Sequence, residues 1–149
     1  GMGFLLGAMG VGAVVGTLVL AGRARTDGLP TVIFYSAATA GVAFMAFALS
    51  PWFWFSMAIM PVLGYSVMRQ MASANTLIQT SIPDHYRGRV MSLYSMTVVG
   101  LGPFGSLAAG AMAHAWGARA TVLAGGALLL AASAVFRAVM PAERTRWGA

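Results

Sequence analysis

Apolar residues fill five stretches of the chain, separated by short polar connections. The stretches cover approximately residues 1–22, 31–49, 52–82, 90–113 and 120–139. Each has the length of about 17 to 25 residues or more that an α-helix needs to cross a hydrocarbon core of ~30 Å. Strands do not fit, because backbone in lipid must pair within helices or within a closed barrel of alternating sequence. The pattern predicts an all-α, polytopic transmembrane bundle of five membrane-spanning helices.

The connections between these stretches are short. They cover residues 23–30, 50–51, 83–89 and 114–119. Helices joined by such short connections must run antiparallel to their neighbours along the chain. Since no linker or low-complexity segment interrupts the pattern, we expect residues 1–149 to form one compact transmembrane domain.

The composition agrees with a membrane protein. Hydrophobic residues make up 59% of the chain and charged residues 8%, whereas soluble domains are roughly 25% charged. The net charge of +6 suggests a nucleic-acid partner only in a polar protein. Here the arginines are spread between apolar runs, which favours a role in orientation and no binding of nucleic acid.

The distribution of arginines predicts the orientation in the membrane. Cytoplasmic connections of membrane proteins carry an excess of Lys and Arg. If the first span enters from outside, seven of the nine arginines lie inside, Arg119 lies outside, and Arg69 falls within the third span. The inner set is Arg23, Arg25, Arg87, Arg89, Arg137, Arg144 and Arg146. The N-terminus is therefore expected outside and the C-terminus inside.

Catalytic and metal-binding chemistry find no support in the sequence. The two histidines, His85 and His114, are predicted at opposite membrane faces, and there is no cysteine, so neither a shared metal site nor a thiol nucleophile is expected. The three acidic residues, Asp27, Asp84 and Glu143, lie at or beyond span ends. We therefore expect no enzyme activity, no catalytic residue, no metal and no cofactor. No carboxylate is therefore expected at membrane depth.

The third span carries a polar stripe, and this is the candidate substrate pathway. Its members recur at helical spacing within an arc of about 80° at 100° per residue, with Gln79 at one edge; they are Tyr65, Arg69, Ser73, Thr76 and Thr80. Polar side chains at membrane depth should face protein or a water-filled cavity. The alternative is that Arg69 extends its side chain to the inner interface.

A basic segment, residues 83–89, separates the third and fourth spans. It contains Asp84, Arg87, Gly88 and Arg89. Asp84 and Arg87 are within pairing distance if the segment is helical, and Gly88 permits close passage of a neighbouring helix. The arginines are candidate gate residues, because their guanidinium groups can bind the carbonyls or acids at the ends of neighbouring helices and release them when those helices move. The alternative is a role in topology and in contact with anionic lipid.

Small residues and prolines mark expected packing sites and hinges. Gly12 and Gly16 have the Gly-xxx-Gly spacing that permits close helix approach. Pro61 and Pro103 remove backbone hydrogen bonds inside the third and fourth spans, which predicts kinks or hinges.

Two motifs carry a resemblance to a known family. The sequence N-T-L-I-Q-T-S-I-P-D-H-Y-R-G-R-V-M-S at residues 75–92, followed by G-L-G-P-F-G-S-L-A-A-G at residues 100–110, resembles transporters of the major facilitator superfamily. The chain is most similar to the bacterial branch that contains the enterobactin exporter and related drug effluxers. In that branch the first motif joins the tenth and eleventh helices. The connection at residues 22–30 departs from the family's gating pattern, so a gating role for Arg23, Arg25 and Asp27 is not favoured.

The resemblance implies a fragment comprising about helices eight to twelve of a twelve-helix carrier. Such a carrier exports small amphipathic molecules or siderophores by alternating access, with protons as the coupling ion. Its expected location is the bacterial inner membrane, and its partners are the lipid bilayer, the substrate and the missing N-terminal half. The alternative is a five-helix membrane subunit that does not transport and instead docks a partner membrane protein.

Overall fold

A computed structural model describes residues 1–22 and 28–139, and these residues form five α-helices. The helices are α1 (Met2–Ala21), α2 (Leu29–Leu49), α3 (Phe53–Ser81), α4 (Asp84–Trp116) and α5 (Ala118–Val139). The described residues contain no strand. The arginines and acids predicted in the connection at residues 23–27 and in the tail at residues 140–149 lie outside the described residues. The all-α fold class predicted from the apolar pattern is confirmed.

Four of the described helices, α1, α2, α4 and α5, are long and apolar enough to cross a membrane. The fifth, α3, has 29 residues and is about 43 Å long, which is more than a bilayer core requires. It is not among these four candidate spans, because its second half carries the polar stripe. The chain is therefore a multi-pass helical membrane bundle.

The fourth helix begins earlier than its apolar run. The sequence pattern places residues 83–89 in a connection, but α4 already includes Asp84 and the connection between α3 and α4 shrinks to Ile82 and Pro83. Pro83 precedes the first turn of α4 and has no backbone N–H that would need a partner there. A carboxylate is favourable at a helix N-terminus. Asp84 supplies that carboxylate. The basic segment is therefore the first turns of a helix.

The first and third helices run parallel and touch through small residues. A Cβ added at Gly12 would overlap the carbonyl oxygen of Pro61, and one at Gly16 would lie 2.7 Å from the carbonyl oxygen of Tyr65. On the other side, a Cβ at Gly64 would overlap the carbonyl oxygen of Met9. These glycines let the two backbones approach directly, as small residues do in membrane helix pairs.

The third helix also packs against α2, and α2 packs against α5. The closest point between α2 and α5 is again a pair of glycines, because a Cβ at Gly41 would lie 3.0 Å from the carbonyl oxygen of Gly126. At one end of this antiparallel pair, Arg119 Nη2 donates to the carbonyl oxygen of Leu49 over 3.1 Å. The opposite end of the bundle is where α3 and α5 end and α2 and α4 begin. We call it the basic end, because Arg87, Arg89 and Arg137 lie there.

The fourth helix is the least covered element. None of its residues is buried, and its contacts within the described chain are made mainly with α5. Cβ atoms added at Gly100, Gly102, Gly105 and Gly110 would meet nothing within 4 Å. Pro103 lies inside α4 and Pro61 inside α3, and both helices continue through them.

Candidate functional site

The polar stripe centres on a contact between Tyr65 and Arg69. Arg69 Nη1 donates to the Tyr65 hydroxyl over 2.8 Å, and the guanidinium carbon lies 5.5 Å from the centroid of the Tyr65 ring. The spacing i, i+4 on α3 places the two side chains one turn apart on the same face. The phenol thus holds the guanidinium alongside the helix by a hydrogen bond and a cation–π contact.

One nitrogen of this guanidinium remains unused. Arg69 Nε is shielded from solvent and has no hydrogen-bond partner among the described residues. A buried polar donor without a partner costs roughly 1–3 kcal/mol, and more when the group is charged. The stripe therefore presents a cation whose hydrogen-bonding capacity is incompletely satisfied.

The depth of Arg69 follows from the contact between α1 and α3. Gly12 is near the middle of α1 and lies against Pro61, so Pro61 is near mid-bilayer if α1 is centred there. Arg69 is two turns further along α3, about 12 Å from that level. The half-thickness of the hydrocarbon core is about 15 Å. With α1 centred in this way, Arg69 would lie just inside one edge of the hydrocarbon core, toward the basic end.

The remaining stripe residues lie beyond that edge. Ser73 to Thr80 fall about 18 to 28 Å past Pro61, in the part of α3 that exceeds the bilayer core. There Thr76 Oγ1 donates to the carbonyl oxygen of Ala72 over 2.9 Å, and Thr80 Oγ1 donates to that of Thr76 over 2.9 Å. Gln79 Nε2 donates to Asn75 Oδ1 over 2.9 Å. Geometry therefore divides the stripe into a membrane part, Tyr65 and Arg69, and an extension.

Burial separates the members of the stripe as well. Ser73 is fully buried, Tyr65, Arg69 and Thr76 are half-buried, and Thr80 is exposed. Ser66, which the sequence did not single out, is also buried, and neither its hydroxyl nor that of Ser73 has a hydrogen-bond partner among the described residues. The spacing of seven residues between the two serines is the sequence signal that relates them.

The basic segment links two helix ends through Arg87. Its Nη2 lies 2.6 Å from Asp84 Oδ1, and its Nε donates to the carbonyl oxygen of Gln79 over 3.1 Å. The last carbonyls of a helix have no partner within the helix, so Arg87 satisfies one of those at the end of α3. Arg89 is exposed and makes no comparable bond within the described residues. A Cβ at Gly88 would meet nothing within 4 Å among the described residues.

Metal ligands are not grouped in the described part of the chain. Residues 1–22 and 28–139 contain no cluster of three or more His, Asp or Glu side chains suited to a metal ion. The histidine of the basic segment, His85, stacks edge-on against Tyr86 with ring centroids 5.0 Å apart.

These features define a polytopic α-helical membrane protein with an arginine hydrogen-bonded to a tyrosine on its third helix and an arginine-bridged helix connection. Residues 1–145 match the model of the family described as transmembrane secretion effector. The chain belongs to this family of the major facilitator superfamily, as its motifs predicted.

A curated relative supports the same assignment. The chain is 31% identical over 123 residues to the multidrug efflux pump Tap of Mycolicibacterium fortuitum, a match that covers 83% of this chain and 30% of Tap. The chain thus spans less than a third of that relative's length. No solved structure matches the chain.

Proposed function

We propose that the chain is part of a secondary active exporter that moves small amphipathic molecules out of the cell by alternating access. Membership of the transmembrane secretion effector family and the similarity to a multidrug efflux pump support export. The remainder of the carrier supplies the N-terminal half. The protein resides in the bacterial inner membrane, with the N-terminus of this segment outside and its C-terminus in the cytoplasm.

The observation that carries the proposal is the pair of Tyr65 and Arg69 on α3. A charged side chain at membrane depth is costly and is usually kept for a function. Both residues remain partly exposed, although α3 packs against α1 and α2. They therefore line the cavity of the assembled carrier, where a polar ring and a guanidinium orient an amphipathic substrate.

Protons drive this export, and the proton-binding group lies outside this chain. Asp84 is the acidic residue within the described ranges, and it is exposed at the start of α4 and paired with Arg87. That position does not suit an intramembrane proton site. Substrates extend from drug-like amphiphiles to siderophores.

A second function is favoured by the open face of α4. A helix with five glycines at which a Cβ would meet nothing among the described residues is suited to dock another membrane helix closely. In the carrier, the missing half covers this face. In the alternative, the chain is a five-helix subunit that does not transport and that docks a partner membrane protein through α4.

Transport by the complete carrier in proteoliposomes separates the two functions. We expect a lipophilic fluorescent dye to accumulate when a pH gradient is imposed and to stay at equilibrium without one. Arg69→Gln should lower the initial rate by about tenfold, the effect of losing one charge-assisted hydrogen bond. Arg119→Gln, at the other end of the bundle, is the matched control and should leave the rate unchanged.

A complete carrier that accumulates no amphipathic dye under any ion gradient would favour the subunit. Co-purification of a distinct membrane protein in fixed ratio, lost when Gly105 is replaced by Leu, would then identify the docking face.

A further inference from the structure

A groove lies between α2, α3 and α5 on the half of the bundle nearer the basic end. Its volume is about 190 Å³, and it is lined mainly by apolar side chains. The polar members of its wall are Gln70 on α3 and Ser133 on α5. Ser133 Oγ donates to the carbonyl oxygen of Leu130 over 2.8 Å, so the hydroxyl proton already has an acceptor. The surface of the groove is therefore largely apolar.

The glycine contact between α2 and α5 explains why the groove forms where it does. The two helices touch at Gly41 and Gly126, and the groove begins about one turn beyond that contact. From there it extends along Ile33, Phe34 and Ala37 on one side and Leu129 to Phe136 on the other. Packed helices cross at an angle and therefore diverge away from the point of closest approach. The side chains of α2 and α5 do not fill the space that this divergence leaves between them.

A cation lies against one of the residues that line this groove. The guanidinium carbon of Arg137 lies 4.8 Å from the centroid of the Phe34 ring, and Phe34 itself lines the groove. The cation–π contact holds the charge beside the Phe34 end of the groove. Arg137 is exposed near the end of α5, where the membrane interface is expected. An apolar groove at hydrocarbon depth thus ends at a positive charge at headgroup depth.

We propose that this groove binds one anionic phospholipid, with an acyl chain between α2 and α5 and the phosphate on Arg137. The arrangement matches the two parts of such a lipid. The apolar wall accepts the chain, and a basic site between transmembrane helices attracts an anionic head group. The exposed edge formed by Ala132 admits the chain laterally from the bilayer. This site is distinct from the polar stripe and does not depend on transport.

Native mass spectrometry of the complete carrier tests the proposal. The purified protein is titrated with phosphatidylglycerol or with phosphatidylcholine of the same acyl chains, and the affinity of the first bound lipid is measured. We expect phosphatidylglycerol to bind more tightly. Arg137→Gln should weaken its binding by about fivefold, the equivalent of ~1 kcal/mol for one arginine near the surface. Arg137→Lys should restore most of the affinity.

A variant that fills the groove provides a second test of the proposal. Ala132→Phe places a ring in the groove without changing charge and should abolish the tight site. The matched control is Ala131→Phe, the same change at the neighbouring exposed position of α5 that does not line the groove. Arg119→Gln controls for loss of charge at the other end. If Ala132→Phe lowers the melting temperature, Ala132→Leu is used instead, because it fills the groove with a smaller side chain.

Equal affinity for the two lipids would overturn the proposal. So would undiminished binding of phosphatidylglycerol to the groove-filling variant, since the lipid would then lie elsewhere. Displacement of the tight lipid by a transported dye, one molecule for one, would identify the groove as a substrate site and also reject the lipid assignment.

Discussion

Arg87 Nε donates to the carbonyl oxygen of Gln79 across the two-residue connection between α3 and α4, at a distance of 3.1 Å. The same side chain is paired with Asp84 in the first turn of α4. One arginine therefore joins the end of one helix to the beginning of the next. If the angle between α3 and α4 changes, the Arg87 side chain must either release the carbonyl oxygen of Gln79 or move together with it.

Loss of the Arg87 bridge should slow the carrier without unfolding it. Arg87→Gln removes the ion pair and the bond to Gln79, whereas Arg89→Gln removes a charge that makes no such contact within the described residues. An exposed ion pair stabilises a protein by only about 0–1 kcal/mol. We therefore expect nearly normal membrane abundance for both variants and a clearly lower turnover for Arg87→Gln alone.

Turnover is measured in proteoliposomes and abundance by immunoblot of membranes. Equal losses of turnover in the two variants would indicate that charge, rather than the helix bridge, matters. Inversion or degradation of either variant would instead assign the arginines to topology.

Close packing of α1 on α3 should make Gly12 intolerant of any side chain. Gly12→Ala adds a Cβ where the carbonyl oxygen of Pro61 lies, and overpacking of this kind costs about 1–3 kcal/mol. Gly7→Ala is the matched control, because a Cβ there meets nothing within 4 Å and alanine favours a helix. Thermal unfolding of the purified carrier should show a lower melting temperature for Gly12→Ala only. Similar melting temperatures for the two variants would mean that α1 and α3 do not pack in this way.

The sequence predicted the number and type of the helices because long uncharged runs leave few alternatives in lipid. The helix α4 begins six residues before the predicted apolar span at 90–113, because the charged residues Asp84, Arg87 and Arg89 lie in helical turns that precede the apolar run. The spacing in the sequence places Tyr65 and Arg69 on the same face of a helix, but it does not predict how deep in the membrane they lie. That depth depends on the contact between Gly12 and Pro61, which joins two helices distant in sequence.

Packing partners were predictable only in part for the same reason. The spacing of Gly12 and Gly16 indicated a contact face without saying which helix it meets. The groove near Phe34 and Arg137 had no signal in the sequence, because it arises from the divergence of two helices. Both features depend on long-range geometry that local patterns do not encode.

The orientation prediction rests on the uneven distribution of arginines. Reporter fusions after Ser50 and after Trp116 should report the outer side, and a fusion after Tyr86 the inner side. Ser50 and Trp116 lie at the end of the bundle opposite Arg87 and Arg137, so one orientation must satisfy all three fusions. Signals of the opposite sense at all three sites would reverse the topology and place the basic end outside.

The last prediction concerns water access along α3. Single cysteines at Tyr65 and Arg69 in a cysteine-free version of the complete carrier should react with a small hydrophilic thiol reagent. The proposed cavity would contain water at this depth, whereas polar side chains facing lipid would be costly. Thr76 and Thr80, beyond the hydrocarbon edge, should react fastest. Ser73 should react slowly, because it is fully buried.

The control is Met71, which is also exposed but lies on the face of α3 opposite the stripe at 100° per residue. If the stripe lines a cavity, a cysteine at Met71 should react much more slowly than one at Arg69, which is only half a turn away along the helix. The labelling rate at each site gives the comparison. Equal rates at the two positions would show that water reaches α3 from both sides at this depth. Arg69 would then be an interfacial residue whose side chain reaches the headgroups, and the substrate pathway would have to follow other helices.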